Sequence, residues 1–205
     1  MPRPSWQVAL SITLRHLRRA DRLAKVAIVG MGQTLRGDDA VGPTVAGELE
    51  RSLMESESVL ILDTGPMPEN FTGTIRDFGP ALVLLVDAAD MGEIGGKIHL
   101  LDYRDCTGLS ASTHTLPPSV IADYMIQEMG CEVALLGVQS LQTDIGAPLS
   151  DPVRSAVNQA VAGIVETFSV HGFAGPRAEP SRSETDEGLA GWPNTIMGAA
   201  PLEEV

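Results

Sequence analysis

Residues 26–42 read VAIVGMGQTLRGDDAVG, and this stretch decides the fold class. Val26–Gly30 is a short apolar run closed by glycine, the pattern of a strand buried on both faces. Ala40–Met54 then places Val41, Val45, Leu49 and Leu53 at four-residue spacing, one apolar stripe along a helix. A buried strand that hands over to an amphipathic helix through a glycine-rich turn is the repeating unit of an α/β protein.

Working outward, Val59–Asp63, Leu82–Asp87, Lys97–Tyr103 and Cys131–Gly137 supply four more strands. Leu82–Asp87 is apolar until its last residue, which places it at the centre of the sheet. The connection from Ala88 to Gly96 is too short for a helical crossover, so the fourth strand runs antiparallel to the third. Glu69–Phe78 puts Phe71, Ile75 and Phe78 on one helical face. Pro117–Met129 is a helix with prolines in its first turn and Thr115 as its cap. Ser150 caps a last helix that carries Val153, Val157, Val161, Ile164 and Phe168 down one side. The expected fold is α/β: a three-layer sandwich with a five-stranded, twisted, mostly parallel sheet, one antiparallel strand, and helices on both faces.

The flanks differ from this core. Residues 1–25 carry a charge of +5, and Trp6, Leu10, Leu14 and Leu17 recur at helical spacing, so an amphipathic helix is expected from Ser5. Residues 26–172 are expected to form one α/β domain. Residues 173–205 carry no apolar period and many Gly, Pro, Ser and Glu, and are expected to be an acidic, disordered tail in which Trp192 can dock. The basic N-terminus has no long apolar stretch or cleavage site after its charges, so no secretory signal is read; a transit peptide is the weaker alternative for this Arg-rich, acid-poor segment, and a cytoplasmic location is expected. The whole chain of 205 residues has a formal charge of −13, which excludes nucleic-acid binding by phosphate neutralisation. No apolar run reaches the roughly 18–20 residues of a membrane span, so no membrane insertion is expected. Cys106 and Cys131 form no CxxC pair, which argues against a disulfide scaffold or a zinc finger. A monomer is expected.

In open α/β sheets function collects beyond the carboxyl ends of the strands. Three loops there carry reactive groups. The first, after Val26–Gly30, holds Asp38 and Asp39. It lacks GxxxxGK[ST] and the third glycine of GxGxxG, and two aspartates would repel phosphate, all of which argues against a phosphate-binding loop. Helix capping is the plain structural reading of both acids. Asp87 closes the central strand, where it either serves a site or ties down the next turn. His114 precedes a helix within Ser112-Thr113-His114-Thr115-Leu116-Pro117-Pro118. His16, His99 and His171 have no acidic neighbour in a cleft by this reading. Two carboxylates and one imidazole are a borderline ligand set able to hold Zn²⁺, Ni²⁺ or Mn²⁺ with positions left for water or substrate. GxSxG and HExxH are absent, and neither cysteine has a clear histidine partner.

GMGQTLRGDDAVG, PENFTG, VDAADMG, STHTLP and LLGVQ follow one another in the order seen in the [NiFe]-hydrogenase maturation endopeptidases, and the chain resembles that family over about residues 26–170. PENFTG and STHTLP look most like the subgroup that processes formate-hydrogenlyase-type (hydrogenase 3) large subunits. The resemblance implies a protease that cuts the C-terminal extension from a hydrogenase large-subunit precursor after nickel insertion. It implies that Asp39, Asp87 and His114 meet that nickel, which the substrate supplies. Gln33 stands where the family usually has asparagine, and Ser140 where proline is common. Two other functions fit the same three residues: a metal-assisted hydrolase of another amide, and a non-catalytic metal-binding assembly chaperone.

Overall fold

The computed structural model describes residues 5–102 and 118–178. In chain order the elements are α1 (Trp6–Ala20), β1 (Val26–Met31), α2 (Val41–Ser52), β2 (Val59–Gly65), α3 (Thr72–Phe78), β3 (Leu82–Ala89), β4 (Ile98–Asp102), α4 (Pro118–Met129), β5 (Glu132–Gln139) and α5 (Asp151–Val170). Short 3₁₀ turns at Gly37–Ala40 and Pro68–Phe71 lead into α2 and α3. The latter takes the first turn of the helix expected over Glu69–Phe78.

The five strands form one sheet in the order β2-β1-β3-β5-β4. β1 pairs parallel with β2 and β3, β3 parallel with β5, and β4 antiparallel with β5. β3 is central and buried along its whole length. The short connection after it does reverse the chain, but β4 steps over to the edge and β5 later fills the gap between them. The antiparallel neighbour is thus β5.

Alternation along the strands splits the core into two layers. Val26, Ile28, Leu82, Leu84, Val86, Leu136 and Val138 face α1, α2 and α5. Ala27, Val29, Val83, Leu85, Val133 and Leu135 face α3 and α4, where Ile75, Ile121 and Met125 cover them. Ser5 accepts a hydrogen bond from Val8 N–H, and Leu10, Leu14 and Leu17 of α1 are buried in the first layer against α5 and β4.

The boundary expected after residue 172 lies too early. Phe173 is buried, stacks at a tilt on Phe168 with ring centroids 5.6 Å apart, and receives the Arg18 guanidinium 3.8 Å above its ring. Met54 N–H bonds Gly175 O and Arg177 N–H bonds Ser52 O. Trp192 lies outside the described residues, as do Cys106 and Thr115. Among the described residues no helix is long and apolar enough to cross a membrane.

Candidate active site

The loop after β1 is built by close backbone contact. A Cβ on Gly42 would stand 2.2 Å from Met31 O and 2.4 Å from Val86 O, so α2 starts directly against β1 and β3. Gly32 has φ of 129°, and a Cβ there would strike Asp39 O. Only glycine permits both approaches. The result is that Gly37–Ala40 is pressed over the carboxyl ends of the two strands.

Neither aspartate of this turn caps α2. The N-cap is Ala40, with no side-chain hydrogen bond. Asp38 is fully buried and turns toward the loop that follows β5. It accepts hydrogen bonds from Leu141 N–H (2.8 Å), Gln142 N–H (3.1 Å), Ser150 N–H (2.7 Å) and Ser150 Oγ (3.0 Å). Ser150 is the N-cap residue of α5, but its hydroxyl serves Asp38 instead of the helix. Asp39 turns the other way, toward β3. It is 4% exposed and accepts one hydrogen bond, from Gln33 N–H at 2.9 Å. That donor is backbone, so glutamine in place of asparagine leaves the contact intact.

Asp87 follows Val83 and Leu85 on the α3/α4 face of β3 and accepts from Ala88 N–H at 2.8 Å. Burial raises its pKa well above the ordinary carboxylate value, and the charge of Asp39 raises it further. Burial also raises Asp39, opposed by the Gln33 amide and Arg36. Asp38, by contrast, spends its charge on four donors. Asp39 and Asp87 are two buried acids with one hydrogen bond each among the described residues, and each costs free energy when ionised. Such a pair favours a proton or a cation between its members, the donor chemistry expected of hard-to-borderline metal ligands.

The structure therefore brings Asp39 and Asp87 together. His114 lies outside the described residues, and among those described no three His, Cys, Asp or Glu residues cluster as a metal site. His99 does have an acidic neighbour, against expectation: its Nε2 lies 3.4 Å from Glu93 Oε1. It also shares a sheet row with Asp87, separated by Gly137, which has no side chain. His171 instead meets Ser11 Oγ at 2.8 Å on the far flank.

Gln139 is a residue that the sequence reading left without a role. It is buried at the end of β5, where its Oε1 accepts from Met91 N–H (2.7 Å) and Glu93 N–H (3.1 Å). Its Nε2 donates to Ser140 O and Asp90 Oδ1. It thus shapes the loop that follows Asp87. The available signal was a polar residue closing an apolar strand, the same signal that singled out Asp87. Ser140 donates its N–H to Ala89 O, a bond that the usual proline could not make.

The hydrogenase maturation protease family model matches residues 43–167, well over half of the chain. The hydrogenase 3 maturation protease of Escherichia coli K12 is 31% identical over 128 residues, which cover 62% of this chain and 80% of that protein. Among solved structures, a [NiFe] hydrogenase maturation protease from Thermococcus kodakarensis superposes with a TM-score of 0.67 at 32% identity, covering 77% of this chain and 99% of the other. An endopeptidase from Escherichia coli solved in solution gives a TM-score of 0.61 at 27% identity, covering 76% and 99%.

Proposed function

The chain belongs to the hydrogenase maturation protease family, and on that premise we propose that it removes the C-terminal extension of a [NiFe]-hydrogenase large-subunit precursor after nickel insertion. The observation that carries this reading is the placement of two buried carboxylates, Asp39 and Asp87, at the carboxyl end of β1 and β3, where the charge of Asp39 acts on Asp87. A precursor that carries its own nickel brings a cation to this pair. Asp39 and Asp87, with His114 as third ligand, then complete the coordination of the substrate's metal.

Nickel supplies Lewis acidity at the scissile carbonyl when the precursor is bound. The remaining work falls to the chain. One of the two carboxylates, Asp39 or Asp87, takes a proton from the attacking water as general base. Water adds its oxygen to the scissile carbonyl carbon, the C–N bond breaks, and the proton ends on the departing amine. The carboxylate is thereby regenerated and no net electron transfer occurs.

The test is a mass measurement on nickel-loaded and nickel-free precursor, each with and without this protein. A shortened large subunit and a released peptide, with nickel only, are the expected products. Unchanged mass with co-elution would identify an assembly chaperone instead, and activity on small amides alone would identify a different hydrolase.

A further inference from the structure

The loop between β5 and α5, residues 140–150, contains no helix or strand, yet it is held from many directions. Asp38 clasps it through Leu141, Gln142 and Ser150. Asp38 N–H bonds Gln142 O, Gly37 N–H bonds Ala147 O, and Gly146 N–H bonds Leu35 O. Arg36 Nε donates to Thr143 O, and Gln142 Nε2 to Pro148 O. On its other flank Leu141 lies on the backbone of Gly95, where a Cβ would stand 2.3 Å from Leu141 Cγ.

This bracing serves a surface that faces solvent with large aliphatic groups. Leu35 is 67% exposed, Ile94 85%, Leu141 60% and Ile145 80%. They come from three loops at the carboxyl end of the sheet, two of them joined by the bonds above and the third, which carries Ile94, by the contact of Leu141 with Gly95. A loop that only connected β5 to α5 would gain nothing from exposing leucine and isoleucine to water. The charges interleaved with them lean acidic: Asp90, Glu93 and Asp144 are exposed, against an exposed Lys97 and a half-buried Arg36.

We propose that Leu35, Ile94, Leu141 and Ile145 form a rigid docking platform for the hydrogenase precursor, and that the matching surface of the precursor is apolar and bordered by Lys or Arg. The proposal rests on the processing function above. Two features select this occupant. The platform is continuous with the site, because Asp38, which braces it, is the chain neighbour of Asp39. Its acidic border on a chain of charge −13 complements a basic partner. Asp38 acts in this arrangement as a positioning residue. It touches no reacting atom and holds the platform beside the carboxylate pair.

The experiment compares the full chain with the triple variant Leu35→Ser, Ile94→Ser, Ile145→Ser, on nickel-loaded precursor at several concentrations and two salt levels. These side chains are exposed, so the variant should keep its thermal midpoint within a few degrees. KM should rise by about tenfold or more with kcat nearly unchanged, since docking is lost and the chemistry is not. A further variant, Asp90→Lys with Glu93→Lys and Asp144→Lys, should raise KM more at low salt than at high salt. Wild-type cleavage with an unchanged KM in the triple variant overturns the platform and leaves the protease reading standing. A wild-type chain that does not cleave the precursor overturns both.

Discussion

The charge of Asp39 raises the pKa of Asp87, although Asp39 belongs to the loop after β1 and Asp87 to β3. Burial does most of the raising, and repulsion adds to it. An acid whose folded pKa exceeds its unfolded value binds more protons in the native state over the interval between them. Its contribution to stability is fully present below the unfolded carboxylate value, near ~3.9, and is lost as the pH climbs through the raised folded value. Asp87→Asn keeps the shape and removes the charge. The metal-free variant should therefore melt higher than wild type at neutral pH and show no such advantage near about pH 4. Calorimetry at the two pH values checks this, and an equal gap at both would show that Asp87 is ionised without penalty.

Processing should be lost without loss of the fold in Asp39→Ala, Asp87→Ala and His114→Ala. Asp39 caps no helix, so its removal forfeits only the Gln33 N–H bond, about 1 kcal/mol, offset by relief of the repulsion with Asp87. Cleavage of nickel-loaded precursor should fall by at least about 100-fold in each variant. Circular dichroism should stay native. Wild-type cleavage by a folded Asp87→Ala protein would remove that residue from the mechanism.

Asp38→Ala should behave in the opposite way to its neighbour. It strands the amides of Leu141, Gln142 and Ser150 and the Ser150 hydroxyl in a part-buried setting. Each donor left without an acceptor costs roughly 1–3 kcal/mol where water does not reach it. The thermal midpoint should fall by about 10 °C for a domain of this size. Denaturant melts of Asp38→Ala and Asp39→Ala side by side give the comparison, and equal stabilities would contradict the division of labour between the two acids.

That division shows where sequence reading stopped. The strand and helix periods carried the fold because each element's burial follows from its own spacing, as with Val41, Val45 and Leu49 of α2. The reversal at β4 was legible in the length of one connection. Asp38 and Asp39 were not separable, because they share a turn and the donors to Asp38 come from residues 141–150, more than a hundred positions away. Gln139 is marked by its place at the end of an apolar strand, but its role is not, because its partners, Met91 and Glu93, belong to a loop almost fifty residues upstream. Local patterns report which face of an element is buried. They do not report which distant loop a polar side chain meets.

Glycine-to-alanine changes within α2 should have opposite signs. At Gly42 the new methyl would meet Met31 O and Val86 O at 2.2 and 2.4 Å, both backbone and unable to yield. Forcing α2 away from the sheet should cost more than about 3 kcal/mol and displace Asp39 as well. At Gly47 the nearest atoms are the Arg51 guanidinium nitrogens at 3.9 Å, so alanine fits and should stabilise by roughly 0.5–1 kcal/mol. Urea titration of both variants tests the pair, and a tolerated Gly42→Ala would mean that the contact between α2 and the sheet is looser than these distances.

Removing residues 1–24 should unfold the protein, and the reason lies in where the apolar face of α1 goes. Leu10 and Leu14 are 0% exposed and Leu17 is 8% exposed, all within the cluster shared with α2, α5 and the sheet. Trp6 closes over Gly163 of α5, where a Cβ would approach the indole to 2.4 Å. Arg18 adds bonds to the carbonyls of Ala24 and Gly172 and covers the Phe173 ring. An amphipathic helix reserved for the precursor would leave those leucines exposed in the free protein. Each buried leucine is worth about 2–5 kcal/mol by truncation to alanine, so losing three approaches the whole stability of a domain, ~5–15 kcal/mol. Leu14→Ala alone should lower stability by about 2–5 kcal/mol while precursor cleavage by the folded fraction continues. A truncated chain that melts like full length and merely binds precursor more weakly would move α1 from the core to the interface.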